Sequence, residues 1–295
     1  MPTPPLLADS PLAAAALARA KVLYTDLDGT LLGRGGAVLA DEKGVPTLAV
    51  ARAVVELNAA GLPVVMVSGR NVKQMTEIAR LLGWRDFVAE LGAVRVADRG
   101  RDVLYELGEW PADAVAEGRT PYEVIEALGA VRVLADAFPG RIEYHHPYTD
   151  DRLATHILRG EVDPAGAQAA LDTLPLPIRF VDNGIIHPPR HALVGVEQVH
   201  AYHLVPSGVS KQAAIRADLA ARGLTPADAI AVGDSTADLQ MAEVVGMLAL
   251  VANGLDHEAV AERAVTLPNL VVTEGRQGDG WAELAHAWLK ARGVV

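Results

Sequence analysis

Before residue 92 three short, largely apolar runs are separated by two stretches of helical spacing, and this alternation restricts the fold more than any other feature. The runs are Lys21 to Thr25, Leu62 to Val67 and Phe87 to Ala89. Between them Thr47 to Ala60 reads as a helix closed by Gly61, and Val72, Met75, Ile78 and Leu82 form a helical stripe that stops at Gly83. Apolar strands separated by helices predict an α/β protein with a doubly wound parallel sheet covered on both faces. In such a sheet, ligands bind outside the carboxyl ends of the strands.

Asp26-Leu27-Asp28-Gly29-Thr30 follows the first run and so falls on that edge. Two carboxylates about 4 Å apart repel by roughly 4 kcal/mol at an effective dielectric near 20, so a cation or a shared proton is expected between them. Three further segments come at comparable places. Ser68-Gly69-Arg70 ends the second run, Lys211 opens a helix behind the cap residue Ser210, and Gly233-Asp234-Ser235-Thr236-Ala237-Asp238 follows the strand Ala229 to Val232. A lysine in the first turn of a helix opposes the helix dipole, which favours a functional reason for it. Asp234 and Asp238 are four residues apart on one helix face, and two acidic clusters facing each other at one sheet edge need a divalent metal.

Between about 93 and 200 the rhythm changes. Val94 to Ala97 and Val103 to Leu107 flank a hairpin signal at residues 98–102, and Ile178 to Val181 meets Ile185-Ile186 across Asp182-Asn183-Gly184 as a second hairpin. A helix near 121 to 138, a strand near 141 to 145 and a helix opened by Asp163-Pro164 lie between. This is the pattern of an α+β cap domain, residues 93–199, inserted into a core of residues 1–92 and 200–295. Alternation resumes with helices from Ser210 to Gly223 and Thr236 to Val245, a strand from Met247 to Val251, and a last helix carrying Trp281, Leu284, Ala285, Trp288 and Leu289 on one face. Residues 1–20 read as a loose, Pro-rich lead-in.

A net charge of −11 without a basic stripe argues against a nucleic-acid surface, and it requires any phosphate-bearing ligand to be held by local cations. No apolar stretch approaches the roughly 20 residues of a membrane span. The absence of cysteine excludes disulfides and thiolate chemistry, and a cytoplasmic location is expected.

In order and spacing, Asp26 to Thr30, Ser68-Gly69-Arg70, Lys211 and Gly233 to Asp238 resemble the four motifs of the haloacid dehalogenase superfamily of phosphatases. The insert is similar to the cap of its Cof-type branch, which includes sugar-phosphate and mannosyl-phosphoglycerate phosphatases. The segment Thr273 to Trp281 is loosely similar to the latter. Two positions depart from that branch: Ala237 and Leu91 stand where it commonly has Asn. The resemblance implies a Rossmann-like core and a Mg²⁺-dependent phosphatase of a small phosphorylated metabolite, a sugar phosphate or phosphoglycerate-type ester, acting as monomer or homodimer. It implies that Asp26 is the nucleophile and Asp28 the acid and then base, its pKa raised by crowding against Asp26. It further implies that Mg²⁺ is held by Asp26, the Asp28 carbonyl and Asp234 with Asp238 behind them, and that Ser68 and Lys211 hold the phosphoryl oxygens, with Gly69 and Thr30 also on the substrate side; Arg70 is a substrate contact or equally a salt-bridge partner.

Asn253-Gly254 is a further candidate for the phosphate site, although Asn-Gly is first a turn signal. In the insert Tyr144, His145, His146, Arg152, His156 and Arg159 form a basic and aromatic cluster suited to a polar leaving group, and His187, Arg190 and His191 are weaker candidates. A phosphotransferase or mutase using the same aspartyl-phosphate, a receiver-like module and a silent phosphometabolite-binding protein are the competing readings.

Overall fold

A computed structural model describes residues 4–186, 193 and 195–294. In chain order its strands are β1 (Val22–Thr25), β2 (Val64–Val67), β3 (Phe87–Ala89), β4 (Val94–Ala97), β5 (Asp102–Tyr105), β6 (Ile142–Tyr144), β7 (His156–Gly160), β8 (Ile178–Ile185), β9 (His200–Pro206), β10 (Ala229–Gly233), β11 (Met247–Leu250) and β12 (Leu270–Val272). Its α-helices are α1 (Pro11–Arg19), α2 (Ala49–Ala59), α3 (Val72–Leu82), α4 (Pro121–Ala127), α5 (Ala130–Ala137), α6 (Pro164–Leu171), α7 (Lys211–Ala221), α8 (Thr236–Leu239), α9 (Glu258–Ala264) and α10 (Gln277–Ala291). Among the described residues no helix is long and apolar enough to cross a membrane.

The large sheet has the order β12-β11-β10-β1-β2-β3-β4-β5, parallel from β12 to β3 and antiparallel in its last two pairs. The central parallel strands are buried on both faces because helices cover both. Leu17, Val50, Leu57, Met75, Trp281 and Trp288 pack on one side, and Ile215, Leu219, Leu239 and Val260 on the other. The sequence puts β1 between neighbours reached in opposite directions along the sheet, which opens a crevice beyond its carboxyl end. The smaller sheet, β6-β7-β9-β8, is antiparallel and packs on α4, α5 and α6 through Val124, Ile125, Leu134, Leu171, Phe180 and Leu204.

Four sequence expectations change. The described part of the expected lead-in, residues 4–20, is not loose: Leu7 N–H bonds the Val272 carbonyl (2.8 Å), closing the β12 edge, and the alanine run forms α1, capped by Ser10 and burying Ala13 and Leu17. Alanine's high helix propensity and the Ser-Pro start account for it. The helix expected near 121–138 breaks into α4 and α5 at Gly129, whose φ of 72° a helix interior does not accommodate. Asp182-Asn183-Gly184 does not reverse the chain. It lies within β8 as an irregularity opposite β9, since the Asp182 carboxylate takes the Gly184 N–H locally (2.7 Å). The hairpin of β4 and β5 extends the large sheet, while β9 belongs to the small one.

The chain therefore leaves the large sheet after β5 and returns after β9, and the two crossings touch. Glu109 N–H bonds the Ser207 carbonyl (2.8 Å), and a Cβ on Gly108 would stand 2.0 Å from that same oxygen. Glycine is required there for backbone to lie on backbone.

His156 begins β7 with its ring stacked on Tyr122 (3.8 Å between centroids) and Nε2 on the Tyr122 carbonyl (3.0 Å). Burial lowers its pKa from 6.5 to about 4. The folded protein thus refuses a proton that the unfolded chain accepts, so stability is fully present above pH 6.5 and declines as the pH falls towards 4. At pH 5 the loss from this one group is about 2 kcal/mol. The stability lost between pH 7.5 and pH 5, read by urea unfolding, is expected to be smaller in His156→Gln than in the wild type by that amount.

Candidate active site

The motif residues converge at the carboxyl ends of β1, β2 and β10. Asp26 follows β1 and is buried, tied to the neighbouring strand by its N–H to the Val232 carbonyl (3.0 Å). Lys211, the first residue of α7, sends its ammonium to Asp26 Oδ1 (2.6 Å) and Asp238 Oδ1 (2.7 Å), so the charge that opposes the helix dipole is met by two acids. Asp238 is fully buried and also caps its own helix, its Oδ2 accepting from Ser235 Oγ (2.6 Å), Ser235 N (3.0 Å) and Asp234 N (3.2 Å).

Asp234 is partly buried and receives only neutral donors, Thr30 Oγ1 (3.2 Å) and Asn253 Nδ2 (3.4 Å). Gly29 lies so close that a Cβ there would stand 2.3 Å from Asp234 Oδ2, and its φ of +84° favours glycine independently. The carboxylate oxygens of Asp26, Asp234 and Asp238 lie within 4.8 Å of one another. One ammonium thus stands among three acids and contacts two of them, Asp26 and Asp238.

Burial pushes the Asp26 carboxyl up, against the pull of Lys211, and burial and Asp238 raise that of Asp234 to about 6. Burial alone would lower Lys211, but attraction to Asp238 and Asp26 holds its ammonium above the ordinary range. Burial likewise opposes ionisation of Asp238, and Lys211 and Ser235 outweigh it, so its pKa is lowered. A hard divalent cation fits the gap beside Asp26 and Asp234: the donors are carboxylate oxygens, and Asp234 has no cationic partner among the described residues.

Asp28 stands differently from the expected acid pair. Its half-exposed carboxylate is gripped by Arg70, with Nη2 on Oδ1 (2.6 Å) and Nε on Oδ2 (2.8 Å). The carboxyls raised by burial and neighbouring charge are Asp26 and Asp234. Ser68 is buried at the end of β2, with Gly69 and Arg70 beside it on the wall of a cavity of about 740 Å³. Asp26, Asp28, Lys211 and Asp234 line the same cavity, as does Ala237. Thr30 and Asn253 stand behind it: Asn253 Nδ2 donates to the Gly29 carbonyl (2.9 Å), and its Oδ1 accepts from Gln277 N (2.7 Å), tying three loops together around Asp234.

The smaller sheet and its loops roof this cavity. Of the six-residue cluster in the insert, His145 and Arg152 line it. His156 is buried in the stack described above, Arg159 pairs with Glu143, His146 with Asp150, and Tyr144 reaches Glu126 (3.4 Å). His187, Arg190 and His191 lie outside the described residues. Sequence reasoning missed Gln74, Tyr148, Asn183 and His203 on the cavity wall, and Glu90 beneath it. His203 carried a signal, a lone imidazole in an apolar run, and burial drives its pKa well below 6.5 so that it is neutral. Behind the nucleophile candidate, Trp281 Nε1 donates to Thr25 Oγ1 (2.9 Å), which donates to the Asp26 carbonyl (2.7 Å).

A family model described as haloacid dehalogenase-like hydrolase matches residues 192–269, the stretch that holds Lys211, Asp234 and Asp238. Phosphoglycolate phosphatase of Methanoculleus marisnigri is 28% identical over 264 residues, 89% of this chain and 94% of that protein. A haloacid dehalogenase-like hydrolase of Bacteroides thetaiotaomicron has the same fold with a TM-score of 0.58 at 17% identity, covering 90% of this chain and 98% of that one. Sucrose-phosphatase of Synechocystis, solved with sucrose and phosphate, superposes with a TM-score of 0.58 at 14% identity over 91% of this chain and 98% of its own. With the acid cluster and its lysine at the sheet edge where the four motifs fall, the chain is similar to the haloacid dehalogenase-like hydrolases and to phosphatases among them.

Proposed function

We propose that the protein is a Mg²⁺-dependent phosphatase that hydrolyses the monoester of a small phosphorylated hydroxy acid, a phosphoglycolate-like compound, through phospho-Asp26. The convergence of Asp26, Asp234 and Asp238 on Lys211 at the floor of a roofed cavity carries this reading. The relative named for phosphoglycolate supplies the substrate class. A cavity of about 740 Å³ exceeds what so small an ester fills, and that observation favours a sugar phosphate as second reading.

In this reading Asp26 Oδ attacks phosphorus in line while the ester P–O bond breaks, and Asp28 gives its proton to the departing oxygen. Water then attacks the phosphorus of phospho-Asp26, Asp28 takes the water's proton, and the P–O bond to Asp26 breaks, restoring the carboxylate and releasing phosphate. Arg70 grips both oxygens of the ionised Asp28 carboxylate, so Asp28 must leave Arg70 and take a proton from solvent before its first turnover, after which the proton taken from water serves the next leaving oxygen. Lys211, the Ser68 hydroxyl and the Gly69 N–H meet the phosphoryl oxygens and offset the repulsion between a dianion and Asp26. Mg²⁺, held by Asp26, the Asp28 carbonyl and Asp234 with Asp238 fixing Lys211 behind them, supplies charge neutralisation at the transferring group. The imidazoles of His145 and His203, both lowered in pKa by burial, line the insert side of the pocket without adding charge. The division into a core of residues 1–92 and 200–295 and a specificity cap of 93–199 belongs to the same reading, with sheet membership assigning β4 and β5 to the core and β9 to the cap.

Asp26→Asn is expected to lower Mg²⁺-dependent phosphate release from phosphoglycolate by at least about 10⁴-fold with an unchanged circular dichroism spectrum; residual turnover near the wild-type rate would remove Asp26 as nucleophile. Chelation should abolish release and added Mg²⁺ should restore it, as followed by colorimetric phosphate assay. Gly29→Ala, which drives a methyl group into Asp234, should raise the Mg²⁺ concentration needed for half-maximal rate by more than about tenfold. Wild-type affinity in that variant would show that Asp234 does not hold the metal.

A further inference from the structure

A run of three consecutive positive φ values joins β3 to β4. Glu90, Leu91 and Gly92, directly after β3, have φ values of 54°, 60° and 103°. Non-glycine residues in that region cost of order 1 kcal/mol or more and persist where the surroundings demand them. Each of the three faces a different part of the machinery. Gly92 lies against Ser210, the cap of the helix that begins with Lys211, where a Cβ would stand 2.2 Å from the Ser210 carbonyl oxygen. Leu91 lines the cavity beside Gly69. Glu90 is wholly buried and points into the loop joining β6 to β7, more than 60 residues away in sequence.

The Glu90 carboxylate accepts from Leu153 N (2.8 Å), Ala154 N (3.0 Å), Thr155 N (2.9 Å) and Thr155 Oγ1 (2.9 Å), with the Arg152 guanidinium 3.6 Å away. Its acceptor capacity is thus filled by one segment of the insert. Arg152, 1% exposed in its side chain, completes the junction: Nη2 donates to the Gly69 carbonyl (2.7 Å) and Nε to Thr155 Oγ1 (2.8 Å). Asn71 adds a bond to the Asp150 carbonyl (3.0 Å) and Lys73 an ion pair to Asp151. The loop held in this way delivers His145, Tyr148 and Arg152 to the cavity wall.

We propose that Glu90 is the positioning residue for leaving-group recognition. By binding the backbone of residues 153–155 it fixes the recognition loop on the core beside Ser68-Gly69-Arg70, so that this wall of the pocket is formed before substrate arrives. Glu90 touches no substrate and acts through the loop. The inference rests on the phosphatase reading for its kinetic test and on geometry alone for its structural test.

Hydrogen exchange on the wild-type protein is the structural test. The amides of Leu153, Ala154 and Thr155 should exchange about 10³-fold slower than free peptide, and exchange at free-peptide rates would overturn the proposal. The kinetic test compares phosphoglycolate, glucose 6-phosphate and p-nitrophenyl phosphate, the last with a leaving group good enough to need little from the loop. Glu90→Gln, which sets an amide donor against backbone N–H groups, should raise KM about tenfold for whichever metabolite the wild type hydrolyses, while kcat on the aryl phosphate changes less than about twofold. Thr155→Val, which removes one of the four donors, should shift KM the same way by about threefold and keeps the test open should Glu90→Gln fail to fold. Equal loss on all substrates, or no change in KM, would overturn the role of Glu90. Wild-type inactivity towards all three would count against the proposed function instead and leave the exchange result standing.

Discussion

The ammonium of Lys211 holds Asp26 and Asp238 together at 2.6 and 2.7 Å inside a buried pocket, and most of the site depends on that three-group contact. Removing a lone lysine or carboxylate from water is costly, and only reciprocal pairing makes it tolerable. The cost dictates much of the local architecture. Asp238 must be delivered by a short helix behind β10, Lys211 by the first turn of α7, and Asp26 by the end of β1, so three elements far apart in sequence have to meet within a few ångströms. The parallel sheet achieves this because β1 and β10 are adjacent and end at the same level, with Val22 opposite Ala229 and Thr25 opposite Val232.

One ammonium against three acids leaves negative charge in excess beside Asp234, whose partners Thr30 and Asn253 are neutral. The same excess that invites a divalent cation repels a phosphate dianion. On the proposed function, binding of a phosphate ester and of a metal would therefore be coupled through charge, in a protein whose net charge of −11 gives no long-range attraction to anions. Arg70 extends this logic to the mouth of the cavity, where it neutralises Asp28 and leaves the rim nearly balanced.

Much of this was legible in the sequence, for reasons that are local. Asp26, Ser68 and Asp234 each follow an apolar run directly, and Lys211 follows a serine cap, so strand and helix ends alone fixed their level in the fold. The stripe of Trp281, Leu284, Trp288 and Leu289 likewise marked the buried face of α10. What stayed hidden depends on contacts between distant segments. Arg70 was readable as a substrate contact or a salt-bridge partner, and Asp28 is the partner it finds within the core; that Arg152 but not Arg159 would reach the cavity, and that Glu90 would be consumed by backbone donors, are outcomes of how the insert sits, which no periodicity encodes. The Asp182-Asn183-Gly184 segment misled because a side chain satisfied the glycine N–H without reversing the chain, and the N-terminal alanines did because their helix is stabilised by packing on α10.

The neighbouring glycines Gly108 and Gly208 mark where the connecting chains pass each other, Glu109 bonded to Ser207, at one end of the interface between the two sheets. A body attached along a single narrow seam keeps one easy degree of freedom, a swing about that seam, much as a door does. The Glu90 contact lies elsewhere, at the end of β3, and works like a bolt set far from the hinge pin, tying the loop between β6 and β7 to the core so that a swing about the seam would have to break it first.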